Sequence, residues 1–308
     1  MIEILDSTLR EGEQSRDVSF SLEQKIELAS LLDEFGVDFI EVGHPVVSEQ
    51  IRDDVHEICS IGLRANVITH ARAKIEDVKA AKDCSAKWVG IFIGVNDMSL
   101  RYKYNVTMAQ VHERIRSSIG FAKDKEMNVR LTIEDATRTE LNTLLEAIHI
   151  AISSGADRIS IADTVGVATP IKFYNLIKRL KDEIETPLHV HCHNDLGMAS
   201  ANAIAAYEAG INLIDVSING LGERTGIASL AEICTALDQI FEVPNLWRLD
   251  MLNILSEKTT LFSNVPMCYK MPIVGRDAFH HKSKLHIKAA AKHPSCYNPV
   301  IIRDRSFL

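Results

Sequence analysis

The feature of this chain that most narrows its fold is an eightfold alternation. Short β-branched runs at 2–5, 37–42, 65–69, 88–94, 128–133, 158–163, 188–191 and 213–218 are each followed by a longer stretch whose apolar residues recur at helical spacing. Several of these stretches close on Gly, as helix C-caps do. Such alternation implies a parallel sheet, and eight units close most naturally as an α/β (β/α)8 TIM barrel. The alternative, an open doubly wound sheet, normally carries a Gly-rich phosphate turn after its first strand. The stretch "DSTLREGEQ" at 6–14 is not one. The barrel is assigned to residues 1–243. Residues 244–308 read as a C-terminal appendage, with a helical piece at 246–262 followed by a Pro-punctuated, irregular stretch.

In such barrels chemistry sits at the carboxyl ends of the strands. Those ends carry Asp6, Arg10, Glu11 and Gln14 after the first run, then Glu41 and His44, then His70, then Asn96 and Asp97. The later runs carry Arg130, Thr132 and Glu134, Asp163 and Thr164, His191 and His193, and Asn219. A purely structural barrel has no need of so many groups that are unfavourable to bury unpaired. In "HVHCHND" (189–195) alternate residues share one strand face, so His189, His191 and His193 point one way and Cys192 the other. A His-x-His pair alone is a weak signal. Two imidazoles with a carboxylate from the end of the first strand suit a divalent ion that must also accept substrate. His189 lies a layer deeper and reads as a core or supporting residue. Glu41 and Glu134 have a second reading, as ion-pair partners of Arg10 and Arg130, and His70 has one as a satisfied strand-end histidine.

The bulk numbers remove other classes. A net charge of −8 argues against a nucleic-acid binder. The first fourteen residues are too charged for a signal or anchor, and no stretch approaches a membrane span. Six scattered cysteines form no CxxC pair, so reduced thiols and a cytoplasmic setting are expected.

Taken in order, "DSTLREGEQ", "IEVGHP", "ADTVGVATP", "HCHNDLGMASANA", "GLGERTGIASL" and "AFHHKSKLHIKA" resemble the DRE-TIM metallolyase superfamily. More narrowly they resemble its Claisen-condensing branch, the homocitrate, 2-isopropylmalate and citramalate synthases, over residues 3–299. The resemblance implies condensation of acetyl-CoA with a 2-oxo acid on one divalent metal ion (Mg²⁺, Mn²⁺, Zn²⁺ or Co²⁺), followed by thioester hydrolysis. It implies Glu11, His191 and His193 as metal ligands, and Arg10 at the reacting keto oxygen with Gln14 close by; Glu41 is assigned with Gln14 to substrate binding. His286 would be the base for the acetyl methyl, supported by Glu134 and Tyr297. Arg130 and Thr164 would hold the substrate's proximal carboxylate and hydroxyl region. His70 would meet the distal carboxylate of 2-oxoglutarate, which points to homocitrate. Synthesis from 2-oxoisovalerate or pyruvate is the alternative within the branch. A carbon–carbon lyase of the superfamily and a catalytically silent binding barrel are the others.

Three features depart from the pattern: Lys284 where Gly is usual, Gly43-His44 where small hydroxyl residues are more frequent, and the loop 95–105. The stop at "IIRDRSFL" suggests that no separate effector domain follows. The apolar, turn-rich stretch 261–275 asks for a covering surface. In the family this tail crosses to a neighbouring subunit, so a homodimer with shared active sites is expected.

Overall fold

A computed structural model describes residues 2–298. Eight strands close in sequence order: β1 (Glu3–Asp6), β2 (Phe39–Glu41), β3 (Asn66–Arg72), β4 (Trp88–Gly94), β5 (Asn128–Glu134), β6 (Arg158–Asp163), β7 (Leu188–Cys192) and β8 (Leu213–Val216). Every pairing is parallel, and β8 returns to β1 with Asp6 opposite Val216. The helices between and after them are α1 (Leu22–Phe35), α2 (Glu49–Ser60), α3 (Ile75–Asp83), α4 (Met108–Asp124), α5 (Leu141–Ser153), α6 (Pro170–Glu183), α7 (Ala199–Glu208) and α8 (Leu230–Gln239). The (β/α)8 expectation therefore holds, with each strand within three residues of its sequence position at either end.

Local chemistry starts and stops the helices. Ser21 and Gln24 form a reciprocal capping box on α1, as Thr107 and Gln110 do on α4. Gly36 ends α1 in the left-handed region at φ 102°. Thr169 caps α6, with Pro170 in its first turn, where no N–H partner is needed.

Strand parity divides the core. Outward residues such as Ile4, Ile40, Val89, Ile161, Val190 and Ile214 are buried against the helices. Inward residues fill the barrel, and at its amino end Leu5, Phe39, Ile68 and Leu213 form a small apolar plug with Trp88. Beyond the barrel, α9 (Leu252–Ser263) packs on α1, and α10 (Lys284–Lys292) follows an irregular stretch. His286 thus stands on a helix, not on the irregular segment the sequence suggested, because "KLHIKAAAK" has an uninterrupted helical composition. Residues 299–308 of the proposed appendage lie outside the described residues. Among the described residues no helix is long and apolar enough to cross a membrane.

Candidate active site

The inward parity of β3, β5, β6, β7 and β8, with the turn after β1, aims polar side chains into one cavity of about 270 Å³ at the carboxyl end of the barrel. Its lining includes Arg10, Glu11, Gln14, His70, Arg130, Glu134, Thr164, His191 and His193. Of the residues that the family resemblance assigns to the site, Glu41, His286 and Tyr297 are outside it.

Glu11, His191 and His193 each offer a ligand atom, and these atoms lie within 4.8 Å of one another. His191 Nδ1 pairs with Asp215 Oδ2 at 2.7 Å, which directs the Nε2 lone pair inward. That Nε2 is 3.2 Å from Nε2 of His193. Glu11 Oε1 is 3.9 Å from His193 Nε2, and its Oε2 is 4.0 Å from His191 Nε2. Two ring nitrogens so close repel unless a proton or cation lies between them. Burial, then the neighbouring His191, pushes His193 down to about 3, so its ring is neutral at physiological pH, as a ligand must be. Burial alone would raise Glu11, but Arg10 and the two histidines outweigh it and hold the carboxyl at about 2. Glu11 is further fixed by the Glu223 N–H at 2.9 Å. The loop that brings this N–H across turns at Gly226, φ 83°, where an added Cβ would lie 1.8 Å from the Gly220 carbonyl oxygen. The donor set thus fits a divalent ion such as the resemblance implies.

Glu41 is fully buried beneath the cavity. It accepts from Ser7 Oγ at 2.7 Å, Arg10 Nε at 2.6 Å, Arg130 Nη2 at 2.5 Å and His70 Nδ1 at 3.3 Å. These contacts match the ion-pair reading of Glu41 rather than a direct hand on substrate. Burial opposes its charge, yet Arg10 and Arg130 hold its carboxyl well below the usual range. Arg10 also bonds Glu11, so one guanidinium links the metal-ligand candidates to the hub. Arg130 uses one nitrogen on Glu41. Its Nε and Nη1 have no partner among the described residues, nor do Thr132 Oγ1 and Ser160 Oγ on the same wall. Buried donors of this kind suit an anionic oxygen-rich ligand. Space for the Arg130 head comes from Gly90, where a Cβ would sit 2.4 Å from Nη2.

His70 stacks on Phe92 with ring centroids 4.4 Å apart. Burial, then Arg10, lowers it to about 3. On the cavity rim, Glu134 takes both carboxylate bonds from Lys103 at 2.7 and 2.8 Å and a third from Tyr104 at 2.7 Å. It is therefore not the partner of Arg130. His286 stacks on Tyr297 at 4.0 Å. His189 is fully buried, its Nε2 3.8 Å from Asp215, as a supporting residue would be. Sequence reasoning missed Asp215, whose signal was an acid of inward parity inside the apolar run "LIDV". It also missed the backbone contribution of Glu223 and the role of Lys103.

A family model described as HMGL-like matches residues 1–254. A homocitrate synthase of Pyrococcus horikoshii is 45% identical over 294 residues, 96% of this chain and 81% of that protein. A probable 2-isopropylmalate synthase of Methanopyrus kandleri is 40% identical over 303 residues, 98% of this chain and 61% of that one. Among solved structures, a hydroxymethylglutaryl-CoA lyase of Pseudomonas aeruginosa superposes with a TM-score of 0.77 at 21% identity, covering 89% of this chain and 96% of that chain, a likeness of fold.

Proposed function

The chain belongs to the HMGL-like family, and on that premise we propose that it is an acyltransferase of the Claisen-condensing branch. It joins acetyl-CoA to 2-oxoglutarate, giving homocitrate and CoA. The observation that carries this reading is one cavity that holds the Glu11, His191 and His193 set and Arg10 on one side, with His70 across the barrel on β3.

Glu11, His191 and His193 would hold a divalent ion, which when bound would supply electrophilic pull on the ketone of the 2-oxo acid. The chain's own groups do the rest. Negative charge gathers on the ketone oxygen as the carbon–carbon bond forms, and the Arg10 guanidinium is the fixed donor facing it. Arg130 and Thr164 hold the proximal carboxylate, Gln14 lies beside the reacting centre, and His70 receives the distal carboxylate. An anion at His70 Nε2 favours the charged ring, so binding there draws a proton onto it. His286 takes the proton from the acetyl methyl, positioned by Tyr297 and by Glu134 on the cavity rim. Water then cleaves the thioester and CoA leaves.

His286 and Tyr297 pack on each other outside the cavity lining, which supports a homodimer in which each tail serves the partner's barrel. Cysteines without a paired motif support a cytoplasmic setting. The test of the activity is thiol release from acetyl-CoA by metal-loaded protein, with 2-oxoglutarate, 2-oxoisovalerate and pyruvate in separate assays. Preference for 2-oxoglutarate is expected. Preference for 2-oxoisovalerate moves the enzyme to the isopropylmalate reaction, in line with the Methanopyrus relative, and removes the role given to His70. Mixed dimers of His191→Ala and His286→Ala subunits test the shared site. They should recover about a quarter of wild-type activity, because half of random dimers are mixed and each has one intact site. Inactive mixed dimers would place His286 on its own barrel.

A further inference from the structure

A second cavity, of about 450 Å³, opens beside the first between α4 and the residues that follow β3. Phe92 and Lys103 line both, so the two adjoin at these side chains. Its floor is largely apolar, from Ala73, Ile93 and the Tyr104 ring, and its rim carries Arg72, Lys74 and Arg114. These cations are not equivalent. Arg72 is neutralised by Asp77 through bonds of 2.7 and 2.9 Å, and Lys103 by Glu134. Lys74 and Arg114 form no ion pair among the described residues. A groove with an apolar floor and two uncommitted cations, beside a cavity proposed to take a thioester, suits a ligand with a neutral arm and an anionic end.

We propose that this groove seats the co-substrate, with the phosphates of CoA on Lys74 and Arg114 and the pantetheine arm running over Phe92 into the metal cavity. The inference rests on the acetyl-CoA reading above and extends it to residues outside the reaction cavity. Both contacts act on parts of the donor remote from the reacting carbon, so they govern donor capture and not the 2-oxo acid. Solvent screens cations at such a rim, so the affinity they add falls with ionic strength.

The experiment compares acetyl-CoA with S-acetylpantetheine, which lacks every phosphate. In the Lys74→Ala/Arg114→Ala enzyme the KM for acetyl-CoA should rise about tenfold, as loss of two charge-assisted contacts predicts. The KM for S-acetylpantetheine and for the 2-oxo acid should stay within about twofold by the same reasoning. An unchanged KM for acetyl-CoA, or an equal rise for both donors, overturns the groove. Arg114 is half-buried, so Lys74→Glu, on an exposed position, is the second variant if the double one misfolds. Binding of adenosine 3′,5′-bisphosphate, measured by calorimetry without turnover, separates this proposal from the reaction. Wild-type binding that weakens about tenfold in the variants upholds the groove even if no 2-oxo acid is condensed. No binding, or equal binding by variant and wild type, overturns it even if the synthase reaction stands.

Discussion

The two ends of the barrel interior are built on the same strands and the same parity, yet they obey different physics. At the amino end Leu5, Phe39, Ile68 and Leu213 are at most 2% exposed and pack with Trp88, whose ring meets Phe39 edge-on at 5.2 Å. Two residues further along each strand, about 6.6 Å of rise, stand Ser7, Glu41, His70, Gly90 and Asp215. The lower layer is held by apolar burial, and the nearby Arg158 stays at its edge, over the Phe39 ring at 5.1 Å and paired with Glu3 at 2.6 Å. The upper layer holds buried charge that persists only because each charge is answered by another. The lesson is a division of labour within single strands. The lower half supplies stability and rigidity, and the upper half spends some of it on groups arranged for a ligand.

Substitutions should separate the two layers. The largest effect is expected at the metal-ligand candidates. His191→Ala or His193→Ala should abolish metal uptake and lower activity by roughly a thousandfold or more, given the several kcal/mol a Lewis acid supplies. The melting temperature of the metal-free protein should move little. Full metal content in both variants, by elemental analysis, would remove the assignment. Next is Glu41→Gln, which leaves the Arg10 and Arg130 guanidiniums without their buried counter-charge. A loss of about 3–5 kcal/mol in urea unfolding is expected, together with weaker 2-oxo acid binding. Leu213→Ala in the plug should destabilise by about 2–5 kcal/mol while metal content stays complete. Activity that collapsed in this variant before unfolding would show that the layers are not independent.

The smallest effect is a slope with pH. The folded pKa of His70, about 3, lies below the unfolded value of 6.5, so between these limits the unfolded chain binds the extra proton. The stability is therefore fully present above pH 6.5 and is lost as pH falls toward 3. His70→Leu should flatten that loss by up to about 1.4 kcal/mol per pH unit, and Leu213→Ala should leave the slope unchanged. Equal slopes in wild type and His70→Leu would mean that His70 is not buried neutral.

The chain's pattern alone determined the strand count, the parallel closure and the parity of His191 and His193. These depend on periodicity, and periodicity is a local property of the backbone. Glu11, Arg10 and Arg130 could also be placed at strand ends without coordinates. The structure decided which charge answers which. Glu41 meets Arg130, 89 residues away in the chain, because β2 and β5 open into one barrel interior, and it meets Arg10 because β1 pairs with β2. Asp215 orients His191 because β8 pairs with β7. Glu134 turned to Lys103 because the π-helical turn Ser99–Tyr104 folds back over β5. Such pairings form only once distant segments share a dry interior, where an unmatched charge is too unfavourable to keep. No spacing along the chain encodes them.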